Sequence, residues 1–407
     1  MANRYWVGGT GNWSDNTNHW SATSGGSSGA SLPTSSDNVF IDSNSGLSGG
    51  TLTLNYPGGQ ADCNDFSSTT GFSYTIVNDA GFYIYKDLTL ESGVTINKGS
   101  GVSIYGSGNH MIKTNNANIL DTFLIEGTGT STLGGDLVLG EEFYQSNGTF
   151  DANDYNVTAN DFYFYAATGN TPTVIMGSGM WEITGDNEGW YLEEYDNAEV
   201  IILSETSILK FTGTNSYLEN YNDVLNKDVG KNYHNIWITK ITNITGEDNV
   251  FNDIKINAGG ELQLDHLTTT YTNTFTAIGT TGNLITLSRS GGTGSDQFTL
   301  SKSSGIVSCD YLDLSNCNVT GGALWFAGKN SADTDNNDGW YFTVPSLITQ
   351  NKPATSLANT SKPTTSIVNS TRVSIGETWA SDPYTWAAEP RTWLAVSQLF
   401  TNSTRPI

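Results

Sequence analysis

Short β-type runs of three to five residues, each closed by Gly, Asn, Asp or Ser, recur along most of the chain. Gly81-Phe-Tyr-Ile-Tyr85, Gly93-Val-Thr-Ile96, Gly101-Val-Ser-Ile-Tyr105, Gly135-Asp-Leu-Val-Leu139 and Asp161-Phe-Tyr-Phe-Tyr165 are typical. Met180-Trp-Glu-Ile-Thr184, Asn235-Ile-Trp-Ile-Thr239 and Gly260-Glu-Leu-Gln-Leu264 continue the series. Apolar residues alternate within the runs, as in Val94/Ile96, Leu137/Leu139, Ile254/Ile256 and Leu262/Leu264, so each run buries one face. No long stretch places apolar residues at i, i+3, i+4 and i+7 free of glycine or β-branched runs, so helices are not expected.

The runs follow one another every ~8–12 residues, the spacing of a sandwich, a barrel or a β-solenoid. A single sandwich rarely needs some two dozen short strands, whereas a parallel β-helix stacks two or three per coil of roughly 20–25 residues. The expected fold is therefore all-β, a right-handed parallel β-helix, with a two-domain sandwich as the rival. Between Thr51 and Thr343 there is room for ~12 coils, a rod of ~55–60 Å at ~4.8 Å per rung.

The two ends differ from the middle, which gives an N-terminal capping segment (1–45), a β-helix (46–344) and an extended tail (345–407). Trp6, Trp13 and Trp20 are spaced seven apart, but glycines 8, 9 and 11 rule out a stable heptad helix. These indoles are expected to plug the open end of the solenoid, whose first strands would otherwise be bare edges. The tail carries a tandem ten-residue Lys-Pro repeat from Asn351, then a seven-residue Thr-Trp repeat placing Trp379, Trp386 and Trp393 in register. Proline closing the repeat units excludes a coiled coil, so the tail reads as an extended arm anchoring or trimerising the rod through those tryptophans.

Three stretches carry a resemblance to known proteins. Arg4-Tyr-Trp-Val-Gly-Gly-Thr-Gly-Asn-Trp13 with Asn18-His-Trp-Ser21 and Pro33-Thr-Ser-Ser-Asp-Asn-Val-Phe40, Gly148-Thr-Phe-Asp-Ala-Asn-Asp-Tyr-Asn-Val-Thr158, and Asn330-Ser-Ala-Asp-Thr-Asp-Asn-Asn-Asp-Gly-Trp-Tyr-Phe342 resemble segments of bacteriophage virion structural proteins of the parallel β-helix type. The resemblance implies a tail fibre, tailspike or head decoration, exposed on the virion exterior and made in the host cytoplasm. It also implies a homotrimer, with other virion proteins and host cell-surface polysaccharide as partners. The expected function is a non-enzymatic structural protein projecting from the particle. A glycan-degrading tailspike depolymerase and a bacterial surface adhesin are the alternatives.

Charge narrows the partners further. Lys and Arg total 17 against 41 Asp and Glu, a formal charge of -24, which repels phosphate backbones and argues against nucleic acid. Aromatic residues at 11% argue against a disordered acidic chain. No run approaches the ~18 apolar residues of a membrane span, and the first eleven residues show neither the basic nor the apolar region of a secretory signal, so no membrane insertion and synthesis without export are expected. Cys63, Cys309 and Cys317 are too few for a disulfide framework and are expected as buried small apolar residues.

Candidate chemistry rests on carboxylates. Glu188, Glu193, Glu194, Asp196 and Glu199 cluster around Trp190, Tyr191 and Tyr195, the composition of a sugar-binding groove, in which aromatic faces stack on sugar rings. Paired acids flanking a glycosidic bond hydrolyse it in glycosidases, but no catalytic residue is assigned here. Asp333-Thr-Asp-Asn-Asn-Asp-Gly339 misses the calcium-loop pattern, which wants glycine at the sixth position and an acid at the twelfth, where Asp338 and Val344 stand. It is expected as an Asn/Asp-rich turn. The four histidines never take metal-ligand spacing, so no metal and no cofactor are expected.

Deleting residues 345–407 is expected to leave a folded, soluble rod that no longer assembles, checked by circular dichroism and light scattering; a chain that fails to fold would place the tail in the core.

Overall fold

A computed structural model describes residues 1–345 other than Pro57. It is a parallel β-helix. The tail positions Trp379, Trp386 and Trp393 lie outside the described residues.

Each coil passes through three faces. The first face stacks nine parallel strands from Asn3–Trp6 to Ile201–Leu203. The second starts at Gly11–Asn12, is carried across the Ile119–Leu139 bridge, and ends at Cys317–Thr320. The third runs without a break through thirteen strands from Gln60–Cys63 to Ala332–Asp335. At ~4.8 Å per rung, thirteen strands make a rod face ~58 Å long, within the length expected from the sequence.

The core is a set of inward columns. On the third face Phe82, Val102, Phe123, Phe143, Phe162, Trp190, Leu218 and Ile244 stand one above another in exact register, all buried. Their rings touch from rung to rung, with Phe143–Phe162 centroids 5.8 Å apart and Phe162–Trp190 5.4 Å apart. The coil length is not constant, since steps of 19, 28 and 28 residues separate Phe143, Phe162, Trp190 and Leu218. The extra residues bulge out at the corners and leave the column in line.

Corner chemistry explains the asparagine-rich composition. Twelve of the fifteen described non-glycine residues with positive φ are Asn or Asp, the residues that tolerate the left-handed region best after glycine. Asparagines also stack on each other at one corner, where Asn252 donates to Asn235 Oδ1 at 3.2 Å and Asn273 donates to Asn252 Oδ1 at 3.3 Å.

At the N-terminal end, Trp20–Ser21 pairs antiparallel with Asn3–Trp6 and occupies the edge a further coil would have used. Trp6, Trp13 and Trp20 are all fully buried, with Trp20 meeting Trp6 at 5.1 Å and Trp13 at 4.8 Å, both edge to face. The Trp20 indole N–H donates to the Trp13 carbonyl at 2.7 Å, and that of Trp6 to the Gly9 carbonyl at 2.8 Å. Gly11 is required here, because a Cβ on it would sit 1.9 Å from His19 Nε2. Asn3–Trp6 and Asn38–Asp42 are themselves rungs of the first face, so the segment 1–45 is built into the rod.

The first face stops at Ile201–Leu203. Beyond it a hairpin pairs Tyr221 and Asn222 with Asp228 and Lys227, and the second-face strands lengthen to seven or nine residues in Asn232–Ile238, Val250–Ile256 and Thr269–Ala277. Burial skips a beat within them, with Tyr233 and Ile236, then Phe251 and Ile254, both inward. A skipped beat turns the strand through a corner, so one long strand covers two walls. The long strands divide again into Phe298–Ser301 and Ile306–Ser308, the latter opening a short sheet completed by Leu324–Phe326 and Trp340–Tyr341.

A polar plug fills the seam where the first face ends. Lys231 Nζ donates to Glu194 Oε1 at 2.6 Å, and both side chains are largely buried. The Val200 N–H and the Asn222 side chain complete the Glu194 carboxylate at 3.0 and 3.1 Å. Removing one partner of such a pair leaves an uncompensated buried charge. Lys231→Ala is therefore expected to lower unfolding free energy by about 3–5 kcal/mol in urea titration, whereas the double change Glu194→Leu with Lys231→Met is expected to recover most of that loss.

Candidate functional site

The residues grouped by sequence around position 190 do not share one surface. Gly189–Glu194 is a strand of the third face, and alternation sends its side chains to opposite sides. Trp190 and Glu194 point inward, which corrects their expected place in a sugar groove. Trp190 is fully buried against Phe164 at 4.7 Å and Trp181 at 5.6 Å, and Glu194 belongs to the plug. Tyr191 and Glu193 point outward. Asp196 sits in the following turn at φ 56°, where its carboxylate accepts from Thr168 Oγ1 at 3.0 Å.

Register brings other residues to the outward pair. Tyr144, Tyr163 and Tyr191 form one column across three rungs, and Glu219 continues it. Tyr144 and Tyr163 stack with centroids 5.6 Å apart at 13°, and Tyr163 meets Tyr191 at 6.3 Å. A second column sets Tyr165 against Glu193 and Glu193 against Tyr221. Tyr195, just past its strand, folds back between Tyr165 at 5.4 Å and Tyr221 at 6.2 Å, and its hydroxyl donates to Glu193 Oε2 at 3.1 Å. The result is a ridge of half-buried tyrosine rings along the rod, with their hydroxyls and carboxylates interleaved.

Carboxylates crowd the strand starts on the same face. Glu142 and Asp161 precede the paired residues Phe143 and Phe162, and Glu188 lies at the start of the next rung. Burial, reinforced by the charges of Glu142, Glu188 and Glu141, pushes Asp161 up to about 7. Burial and the Glu188 charge also raise Glu142. Burial raises the Tyr163 phenol, with further contributions from its hydrogen bond to Glu193 and from that charge, and burial with the Glu188 charge raises Tyr191. These phenols stay protonated, and the Tyr163 O–H is committed to the Glu193 carboxylate.

Tyr144, Tyr163, Tyr165, Tyr221, Asp161 and Glu219 were not singled out in the sequence as site residues. The usable signal was the alternation in Asp161-Phe-Tyr-Phe-Tyr165, whose phenylalanines and tyrosines must take opposite faces. What no local pattern gives is the step of 28 residues that seats Tyr191 on Tyr163.

Elsewhere the surface offers less. A depression of about 410 Å³ is lined by Phe72, Ser73, Glu91, Ser92 and Asn115, but the Glu91 carboxylate is already held by the Thr70 and Gly71 N–H groups at 3.0 and 2.8 Å. Among the described residues no three His, Cys, Asp or Glu side chains are placed to hold a metal ion. No helix among them is long and apolar enough to cross a membrane. All three cysteines are buried and free, as expected, and Cys317 Sγ accepts from the Trp340 indole at 3.3 Å. Asp333-Thr-Asp-Asn-Asn-Asp-Gly339 contributes to the last third-face strand and then turns at Asn336, φ 48°, into Trp340–Tyr341.

The Asp161 environment makes stability depend on pH. Its pKa is raised on folding, so the folded chain binds a proton that the unfolded chain has released between about pH 4 and 7. Unfolding free energy should therefore fall as pH rises through that window, and Asp161→Asn should flatten the dependence in urea titrations at pH 5 and 8. No protein-family model, curated protein or solved structure matches the chain, so its chemistry rests on its own residues.

Proposed function

We propose that the protein is a non-enzymatic structural rod on the exterior of a bacteriophage particle, and that it touches host-surface glycans through the tyrosine ridge of its third face. The ridge is the observation that carries this reading. Half-buried tyrosine rings, packed side by side along the rod, with carboxylates interleaved, supply the apolar contact area and hydrogen-bond acceptors that a sugar chain uses. The rest of the architecture supports it. A stack of coils with one continuous apolar core is stiff along its axis, and a charge of -24 keeps neighbouring rods apart in solution. In this reading the tail carries the other contacts, to further virion proteins and to two more copies in a homotrimer.

The test is glycan binding by the full-length chain on a panel of bacterial surface polysaccharides. Tyr163→Ala with Tyr191→Ala should weaken the strongest interaction about tenfold or more, equivalent to ~1.4 kcal/mol, with an unchanged circular dichroism spectrum. Failure of the unaltered chain to retain any glycan would remove the reading. Release of new reducing ends that disappears in Asp161→Asn would make the protein a depolymerase instead, with Asp161 as the acid.

A further inference from the structure

The ridge carries negative charge that no cationic side chain pairs directly. Glu142, Asp161, Glu188, Glu193 and Glu219 stand on or beside its outer face, and none has a Lys, Arg or His nitrogen within 4.0 Å among the described residues. Three lysines near it are engaged elsewhere, and Lys240 acts on Asp186 rather than pairing with a ridge carboxylate. Lys98 holds Glu141 at 2.8 Å, Lys227 holds Glu247 at 2.8 Å, and Lys231 is turned inward to Glu194. The carboxylates press on one another instead. Burial and the charges of Asp228 and Glu193 raise Glu219, as burial and the Glu188 charge raise Glu142.

This pattern selects among sugars by charge. A polyuronate or a phosphate-bearing glycan would bring anions against a row of carboxylates that no close lysine or arginine neutralises. A neutral glycan would use the rings and leave the charge unanswered. An amino sugar with a free amine brings a ring and an ammonium in the same residue, which suits a surface where each ring has a carboxylate beside it, such as Tyr163 and Tyr195 at Glu193 or Tyr191 next to Glu219. The repeat matches too, since a hexose in an extended chain is about as long as the ~4.8 Å spacing between rungs. We propose that the ridge binds a polysaccharide of amino sugars whose amines are free, the chain running along the rod beside the tyrosine column with ammonium groups between the carboxylates. The inference rests on the glycan reading above and names its ligand class.

The test compares a β-linked polyglucosamine, the same polymer fully N-acetylated, and a polyuronate, each offered to the full-length chain at low and high salt. The amine form should bind at least tenfold more tightly than the acetylated form, with the polyuronate unbound. High salt should narrow that gap, because exposed charges are screened. Glu193→Gln and Glu219→Gln, which keep side-chain shape, should each narrow it about two- to fivefold, the range of single exposed ion pairs. Equal affinity for amine and acetylated polymers, or preference for the polyuronate, would overturn the charge selection while leaving glycan binding in place. Binding of none of the three but of polylysine would assign the ridge to a basic protein, overturning this inference and, with an empty polysaccharide panel, the glycan reading as well.

Discussion

Everything in this molecule depends on rungs locking in register. Each strand gives its backbone N–H and C=O groups to the coils above and below, and a one-residue slip would turn every inward side chain outward. The aromatic column from Phe123 through Phe143 and Phe162 to Trp190 makes such a slip costly, because it would expose those rings and bury the hydroxyls and carboxylates beside them. The tyrosine ridge is the other side of that column. Tyr144, Tyr163 and Tyr191 each follow a core aromatic by one residue, so the packing that holds the rod together also aligns the face offered for binding.

A stack of this kind has two weak places, its ends and any break in a face. The N-terminal end is sealed by an antiparallel strand, only two residues long, and three buried indoles. The break after Ile201–Leu203 is sealed differently. There the chain gives up one wall, lengthens the neighbouring strands around an asparagine corner, and fills the seam with the Glu194–Lys231 pair. The ion pair sits where an apolar column has lost its third side, and its hydrogen bonds to Val200 and Asn222 satisfy a carboxylate that would otherwise be costly to bury.

The face and the seam are adjacent parts of one strand. Gly189–Glu194 sends Tyr191 and Glu193 to the ridge and Trp190, Leu192 and Glu194 to the interior. Chemistry on the outer face is therefore held by residues that cannot move without disturbing the core. That rigidity favours recognition of a repeating ligand, since seats one rung apart hold their spacing.

The amino-acid sequence by itself determined the class of fold. Alternating runs such as Val94/Ile96 and Leu262/Leu264, closed by residues that accept left-handed corners, leave a chain of this length little choice but a stack of short strands. It also determined the burial of the cysteines, because small apolar side chains in alternating runs go inward. The neighbours of any outward residue were decided by the tertiary structure. Coils of 19 and of 28 residues occur side by side, so no fixed period in the sequence says that Tyr191 rests on Tyr163, or that Glu194 meets Lys231. Residues close in sequence, like Trp190 and Tyr191, were separated by the two-residue repeat of the strand. Residues far apart were joined by hydrogen-bonded register, which depends on how much chain each corner absorbs.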